Sequence, residues 1–323
     1  MRIGILGQPC IDEIVHPSRD TMRLALGGIL YSFTAMERLM REAGDGSFVP
    51  MSWLSVPDRL LLDPLISQFR FMDRASGFWP IESKTNRVQL VYREGGSRTE
   101  HCSHILPALT TAEISPELLD SLDGLFINMI SGYDVSLDTL EHALNHASKR
   151  PLVHLDIHAL ALGPLSTANE NSPFGGGREP RGVKEWKRWV ALADTVQMNE
   201  LEARWFADPE IQSEKQLLKH IAESKNYSKL RYLILTRAER GASLFDFKNE
   251  IVYHGAAPPV QTIDTTGSGD VFGSALIFFM LDGKRPEDAL ERSVQWASWN
   301  TTLRTINQIL EADLFTQYDD LSS

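Results

Sequence analysis

A chain of 323 residues, 42% apolar and 23% charged, can bury the core of one large domain or two modest ones, which excludes a disulfide-stapled miniprotein and a disordered tail. Its 43 acidic and 32 basic residues leave a net charge of −11, which repels polyanions and argues against nucleic acid and anionic membrane as partners. Sixteen prolines and 22 glycines are near average usage, so no stretch reads as low complexity or collagen.

Cys10 and Cys102 are the only cysteines, too few for a disulfide framework, and the opening Met1-Arg-Ile-Gly-Ile-Leu reads as a strand and not as a signal peptide. The longest apolar run, residues 275–281, falls well short of the roughly 20 residues that span a bilayer. A soluble, cytoplasmic protein is expected.

In chain order, residues 3–6 predict a strand, 29–40 a helix by the spacing of apolar positions, and 49–56 a strand. Then follow 125–130 (strand), 137–147 (helix), 152–157 (strand), 186–193 (helix) and 195–198 (strand). The rest predicts 215–224 (helix), 230–235 (strand), 271–281 (helix) and 286–302 (helix). Such alternation implies an α/β fold, a doubly wound, mostly parallel sheet flanked by helices.

Two segments depart from that rhythm. Residues 11–15 with 22–26, and 87–93 with 98–102, look like two pairs of β-segments with no helix between them. The second pair would turn at Glu94-Gly-Gly-Ser97. Strands inserted at about 10–26 and 84–104 within a single domain over 1–323 suggest a small β-lid. Residues 166–183, rich in glycine and proline, read as a loop.

The most informative segment is Asp264-Thr-Thr-Gly-Ser-Gly-Asp270, followed at once by a long apolar run. A glycine-rich turn that opens a helix presents unpaired N–H groups at the positive end of the dipole, where an anion such as phosphate binds. No Gly-x-x-x-x-Gly-Lys-Ser/Thr loop occurs, and the glycine spacing does not fit a dinucleotide fingerprint. Asp270 has two readings: a carboxylate that merely matches the helix dipole, or one that takes a proton from an attacking hydroxyl beside the bound anion.

The segment resembles the Asp-Thr-x-Gly-Ala-Gly-Asp signature of the ribokinase-like sugar kinases, the PfkB family, with Ser268 in place of alanine. Gly7-Gln-Pro-Cys-Ile-Asp12, Gly27-Gly28 and Asn199-Glu-Leu-Glu202 are similar to further family motifs, in the family's order, over residues 1 to about 305. The resemblance implies a doubly wound sheet with a β-lid over a sugar site. It makes Asp270 the base and the amides of Gly267, Ser268 and Gly269 an anion hole. Asn199 and Glu202 would lie near the phosphates of ATP, Glu202 acting on Mg2+ through water. Thr236, Gly241 and Thr266 would line the nucleotide side, and Asp12, Gly27, Gly28, Ser32 and Asn128 the acceptor side. Asp264 and Thr266 match positions that contact a monovalent cation such as K+ in some members. Lid strands that pair between subunits would give a homodimer.

The chain departs from the family at Ala238, where glycine is usual, at Ser32, where a sugar-contacting asparagine is common, and at Ile130 and Ser298. Bland readings stand beside the motifs: Asn199 to Glu202 as a helix cap, Asp12 as a strand end, Gly27-Gly28 as a tight turn. His154-Leu-Asp156-Ile-His158 would put three polar groups on one strand face, as in a metal-dependent hydrolase, or serve structure or acceptor contact. His142 and His146 share a helix face, and Trp186, Trp189, Trp205, Trp296 and Trp299 read as core or subunit contacts. The expected function is transfer of a phosphoryl group from ATP to a hydroxyl of a small sugar or sugar-like molecule. A nucleoside kinase, a metal-dependent hydrolase and a degenerate ligand-binding fold are the alternatives.

Overall fold

The computed structural model describes residues 1–15, 23–92, 98–161, 185–205, 216, 218–219 and 229–312. Strands are numbered β1 (Arg2–Leu6), β2 (Pro9–Val15), β3 (Arg23–Gly28), β4 (Ser47–Met51), β5 (Trp53–Ser55), β6 (Trp79–Ile81) and β7 (Asn86–Tyr92). They continue with β8 (Arg98–His104), β9 (Gly124–Asn128), β10 (Leu152–Asp156), β11 (Thr195–Asn199), β12 (Tyr232–Thr236), β13 (Ala242–Asp246) and β14 (Ile251–Gly255).

The main sheet runs β14-β13-β12-β11-β10-β9-β1-β4. It is parallel from β4 to β12, and β13 and β14 close one edge antiparallel. Both faces are covered, so central strands are apolar on both sides. Ile3, Ile5, Phe126 and Ile234 enter one core with the Leu30–Ala43, Ser268–Leu281 and Pro286–Asn300 helices. Their neighbours Leu6, Leu125, Ile127, Leu233 and Leu235 enter the other with the Leu137–His146 and Trp186–Leu192 helices. The two-residue period of a strand distributes the side chains in this way.

The Ser268–Leu281 helix is apolar around nearly its whole circumference and buried from Val271 to Phe279. An all-round apolar helix belongs inside, and this one is wedged between the sheet, the Leu30–Ala43 helix and the Pro286–Asn300 helix. Its N-terminus therefore sits at the carboxyl ends of the strands, the end of an open α/β sheet where ligands bind.

A second sheet, ordered β3-β2-β7-β8, stands apart from the first. Within it β2 pairs antiparallel with β3 and parallel with β7, and β7 pairs antiparallel with β8. Asn86 Oδ1 accepts from the Leu106 amide at 2.6 Å, tying the base of β7 to the exit of β8.

Some expectations shift. The strand predicted over 49–56 is two, β4 and β5, because Gln8 Oε1 takes the Trp53 amide at 3.0 Å and breaks the ladder at Ser52. Gly27-Gly28 end β3, and the next helix begins at Leu30. The 271–281 helix starts three residues earlier, at Ser268. The β13–β14 hairpin and the Arg59–Ile66 helix had no counterpart in the sequence reading. The turn at 94–97 and the loop at 166–183 lie outside the described residues, as does most of the 215–224 helix.

Candidate active site

Asn128, Asp156, Asn199 and Thr236 are the last residues of four neighbouring parallel strands, so the topology sets them in a row. Asn199 and Thr236 are direct partners in the ladder, as are Asn128 and Asp156.

The turn before the Ser268–Leu281 helix is built by its own side chains. Asp264 Oδ1 accepts from the Thr266 amide at 2.9 Å and the Thr266 hydroxyl at 2.7 Å. Asn300, at the end of the next helix, donates to the Thr266 carbonyl at 3.0 Å. Gly267 follows with φ of 74°, a left-handed conformation that glycine adopts without steric cost. A Cβ there would also lie 2.2 Å from the Tyr31 ring. Ser268, Gly269 and Asp270 open the helix, and like the first N–H groups of any helix they have no intrahelical acceptor. The Ser268 amide makes a long bond, 3.2 Å, to the Thr265 carbonyl.

Asp270 sits in that first turn, partly buried. Its Oδ1 accepts from Asn128 Nδ2 at 2.5 Å, and the same amide group donates to Ser32 Oγ at 2.9 Å. Burial raises the Asp270 carboxyl to about 6, against the pull of the Asn128 hydrogen bond and the His158 charge, and the Asp12 carboxylate adds to the rise. Asp12 reaches the site from β2 in the second sheet. A Cβ on Gly27 would lie 2.3 Å from Asp12 Oδ2, so glycine there makes room for the carboxylate. Gly28 has φ of 63°, again the left-handed region.

On the other side of the row, Asn199 and Glu202 form a reciprocal cap. Glu202 Oε2 accepts from the Asn199 amide at 2.8 Å, and Asn199 Oδ1 accepts from the Glu202 amide at 2.8 Å. That is a capping box in form, so the local reading of this motif holds. Glu202 Oε1 also meets Asn199 Nδ2 at 2.6 Å and His158 Nδ1 at 2.7 Å. Asp156 is raised to about 7 by burial first and by the Glu202 carboxylate second, with Asp270 adding a smaller push. Asp12, Asp156, Glu202 and Asp270 thus form one acidic field with His158 inside it.

Thr236 leads into the 237–241 loop. Gly241 has φ of 84° and ψ of −132°, and a Cβ would lie 2.0 Å from the Gly255 carbonyl oxygen, so glycine is required there. Ala238, by contrast, is held at φ of 49°, a region that costs an L-residue with a Cβ.

The His154-x-Asp156-x-His158 trio does not converge on a metal. His154 bonds Thr195 Oγ1 at 2.5 Å and Gln197 Oε1 at 3.1 Å, while His158 lies past the strand end and pairs with Glu202. Among the described residues no three His, Cys, Asp or Glu side chains are placed to hold a metal ion directly. Trp186, Trp189, Trp296 and Trp299 are buried in the core. Arg188, in the first turn of the Trp186–Leu192 helix, is bound to Asp138, Glu141 and Glu185. Gln197 and Tyr31 were not among the sequence candidates; a lone polar residue in a strand and an aromatic in a helix carry no local signal.

A family model described as pfkB family carbohydrate kinase matches residues 175–311. Mouse (Mus musculus) ketohexokinase is 30% identical over 78 residues, 24% of this chain, and the matched stretch spans about a quarter (26%) of that enzyme's length. A pyrophosphate-dependent kinase in the ribokinase family, solved with sulfate, superposes with a TM-score of 0.73 at 15% identity over 97% of this chain and 100% of the other. Arabidopsis thaliana ribokinase with ribose and ATP gives 0.64 at 13% identity over 96% and 99%. The signature turn lies inside the stretch that matches the pfkB carbohydrate kinase model, and the fold along the whole chain is ribokinase-like.

Proposed function

We propose that the chain is an ATP- and Mg2+-dependent kinase that moves the γ-phosphoryl group to a hydroxyl of a small sugar or sugar-like polyol. The observation that carries this reading is the Asp270 carboxylate, raised to about 6 and hydrogen-bonded to Asn128, on the first turn of a helix opened by Gly267-Ser-Gly269. A base working near neutral pH has a pKa close to that range.

Asp270 takes the proton of the acceptor hydroxyl. The oxygen attacks the γ-phosphorus, the bond to the β–γ bridging oxygen breaks, and ADP leaves. The amides of Gly267, Ser268 and Gly269 hold the charge on the moving group. Asp12, Ser32 and Asn128 bind the acceptor's hydroxyls, with Gly27 and Gly28 giving them room. Asn199 and Glu202 act at the donor phosphates, and Thr236, Gly241 and Thr266 line the nucleotide side.

The mutual repulsion among Asp156, Glu202 and Asp270 suits a divalent cation near them, so the residues fit Mg2+. Glu202 and Asp156 would hold it through water, and the ion supplies charge neutralisation on the phosphates. Asp264 and Thr266 are the positions for a monovalent cation such as K+. The β3-β2-β7-β8 sheet acts as the lid that keeps water from competing with the acceptor. The exposure of Leu24, 53% on β3, supports pairing of two copies through the lid.

A second reading concerns the donor. The likeness to a pyrophosphate-dependent kinase of the same fold supports pyrophosphate in place of ATP, with the acceptor chemistry unchanged.

The test is a panel of ribose, fructose, myo-inositol, adenosine and cytidine, assayed for ADP release from ATP and phosphate release from pyrophosphate. Acceptor-dependent release with a sugar or polyol is expected. Preference for a nucleoside supports a nucleoside kinase, and binding without release with either donor supports a ligand-binding role.

A further inference from the structure

Behind the signature turn lies a buried polar chain that the proposed mechanism does not use. Register sets His154 on β10 beside Thr195 on β11, and Asp156 beside Gln197. His154, Thr195 and Gln197 are 0%, 0% and 3% exposed. Two of Gln197's contacts reach the site: Nε2 donates to Asp156 Oδ2 at 2.8 Å and to the Gly269 carbonyl at 3.1 Å.

The protons in this chain have one consistent arrangement. Gln197 gives both its N–H groups to acceptors, so its Oε1 accepts from His154 Nε2–H. His154 Nδ1 is then the acceptor for the Thr195 hydroxyl at 2.5 Å. Each imidazole nitrogen has a different role, which only the neutral ring allows. Burial agrees, lowering His154 to about 4, and Phe126 stacks on the ring at 5.0 Å.

The helix is shaped to admit this contact. A Cβ on Gly273 would lie 2.9 Å from Gln197 Oε1 and 2.5 Å from Phe126. Gly273 therefore lets the first two turns of the helix rest directly on Gln197 and Phe126. The Gly269 carbonyl belongs to the same rigid peptide plane as the Asp270 N–H. Fixing one fixes the other.

We propose that Gln197 is a positioning residue for phosphoryl transfer: held by His154 and Thr195, it locks the Gly269–Asp270 peptide and the Asp156 carboxylate in one orientation. Its consequence for rate rests on the kinase reading above, whereas its hold on the turn does not. That peptide joins Gly269, whose amide belongs to the proposed anion hole, to the Cα of Asp270, and a preorganised site costs no reorientation as charge develops, so loosening it lowers kcat and leaves ground-state binding nearly intact.

Gln197→Met keeps the length and removes all three hydrogen bonds. Thr195→Val removes the far end of the chain while preserving shape, and it serves if the first variant folds poorly. Two readouts are taken, steady-state kinetics with the best donor and acceptor of the panel, and amide hydrogen exchange of unliganded protein. Gln197→Met is expected to lower kcat at least about tenfold with both KM values within about threefold. Exchange is expected to quicken in residues 264–272 and not in 273–281. Thr195→Val is expected to lower kcat by a smaller factor alone and by nothing further on top of Gln197→Met, as members of one chain do. A kcat within twofold of wild type, unchanged exchange in 264–272, or additive effects of the two substitutions overturns the proposal. Wild-type protein that transfers phosphate from neither donor overturns the kinase reading instead, and the exchange comparison then decides by itself whether Gln197 holds the turn.

Discussion

Asn128 donates to Asp270 across 2.5 Å, although 142 positions separate the two in the chain. The strand end at β9 and the helix start at Ser268 are thereby tied at the point where the proposed base must be aimed. The same amide group holds Ser32 Oγ at 2.9 Å, so one asparagine links the proposed base to the proposed acceptor side.

Replacing Asn128 by leucine removes a hydrogen bond to a charged group, worth about 1.5 kcal/mol or more, or roughly tenfold. Turnover of Asn128→Leu is expected to fall by about that factor. Because this hydrogen bond pulls the Asp270 pKa down, the acid limb of the rate profile should also move to higher pH. A pH series on both proteins checks the two effects together.

Wild-type turnover should itself depend on pH. The proposed base would work ionised, and its carboxyl is raised to about 6, beside an Asp156 raised to about 7. Rate is therefore expected to rise with pH across the interval from 6 to 7 and to fall about tenfold per unit well below it. A profile that stays flat down to pH 5 would remove Asp270 from the base role.

Those raised values carry a cost in stability, with a defined sign. Folded Asp270 binds its proton more tightly than the ordinary carboxyl at 3.8. Its contribution to folding is full below that value and is lost as pH rises through about 6. Asp270→Asn removes the buried charge, so its thermal midpoint should exceed that of wild type by a few degrees at pH 8 and approach it at pH 4. Calorimetry at the two pH values measures the difference.

Ala238 gives a test on the nucleotide side. Its φ of 49° disfavours a residue with a Cβ, and Ala238→Gly is expected to stabilise the fold by about 0.5–1 kcal/mol. Ala238→Val should destabilise it. Denaturant unfolding of the three proteins gives the order.

Much of this was legible in the sequence because it is local. Apolar runs with strand or helix periods gave the alternating elements, and the glycine-rich turn before Asp270 was readable as opening a helix, although that helix begins at Ser268, ahead of the apolar run. Asn199 and Glu202 were readable as a cap, which they form. The hairpin of β13 and β14 was not legible, since β13 is a short buried strand with no alternation and β14, at the sheet edge, is mostly exposed and lacks an apolar pattern. Gln197 was not legible for a different reason. Its partners come from two separate segments, His154 and Asp156 on β10 and Gly269 on the helix, 43, 41 and 72 positions away, and only the fold brings them together. The His154-x-Asp156-x-His158 spacing suggested a metal because a strand puts alternate residues on one face. The strand ends at Asp156, and His154 is held in the core by Thr195 and Gln197.

In the proposed reaction Asp270 removes the proton from the attacking alcohol. The most direct measurement is single-turnover phosphoryl transfer by Asp270→Asn beside wild type, with donor affinity determined on the same preparations. Asp270→Asn is expected to transfer at least about a hundredfold more slowly with donor affinity changed by less than about threefold; transfer at the wild-type rate would rule out the base role.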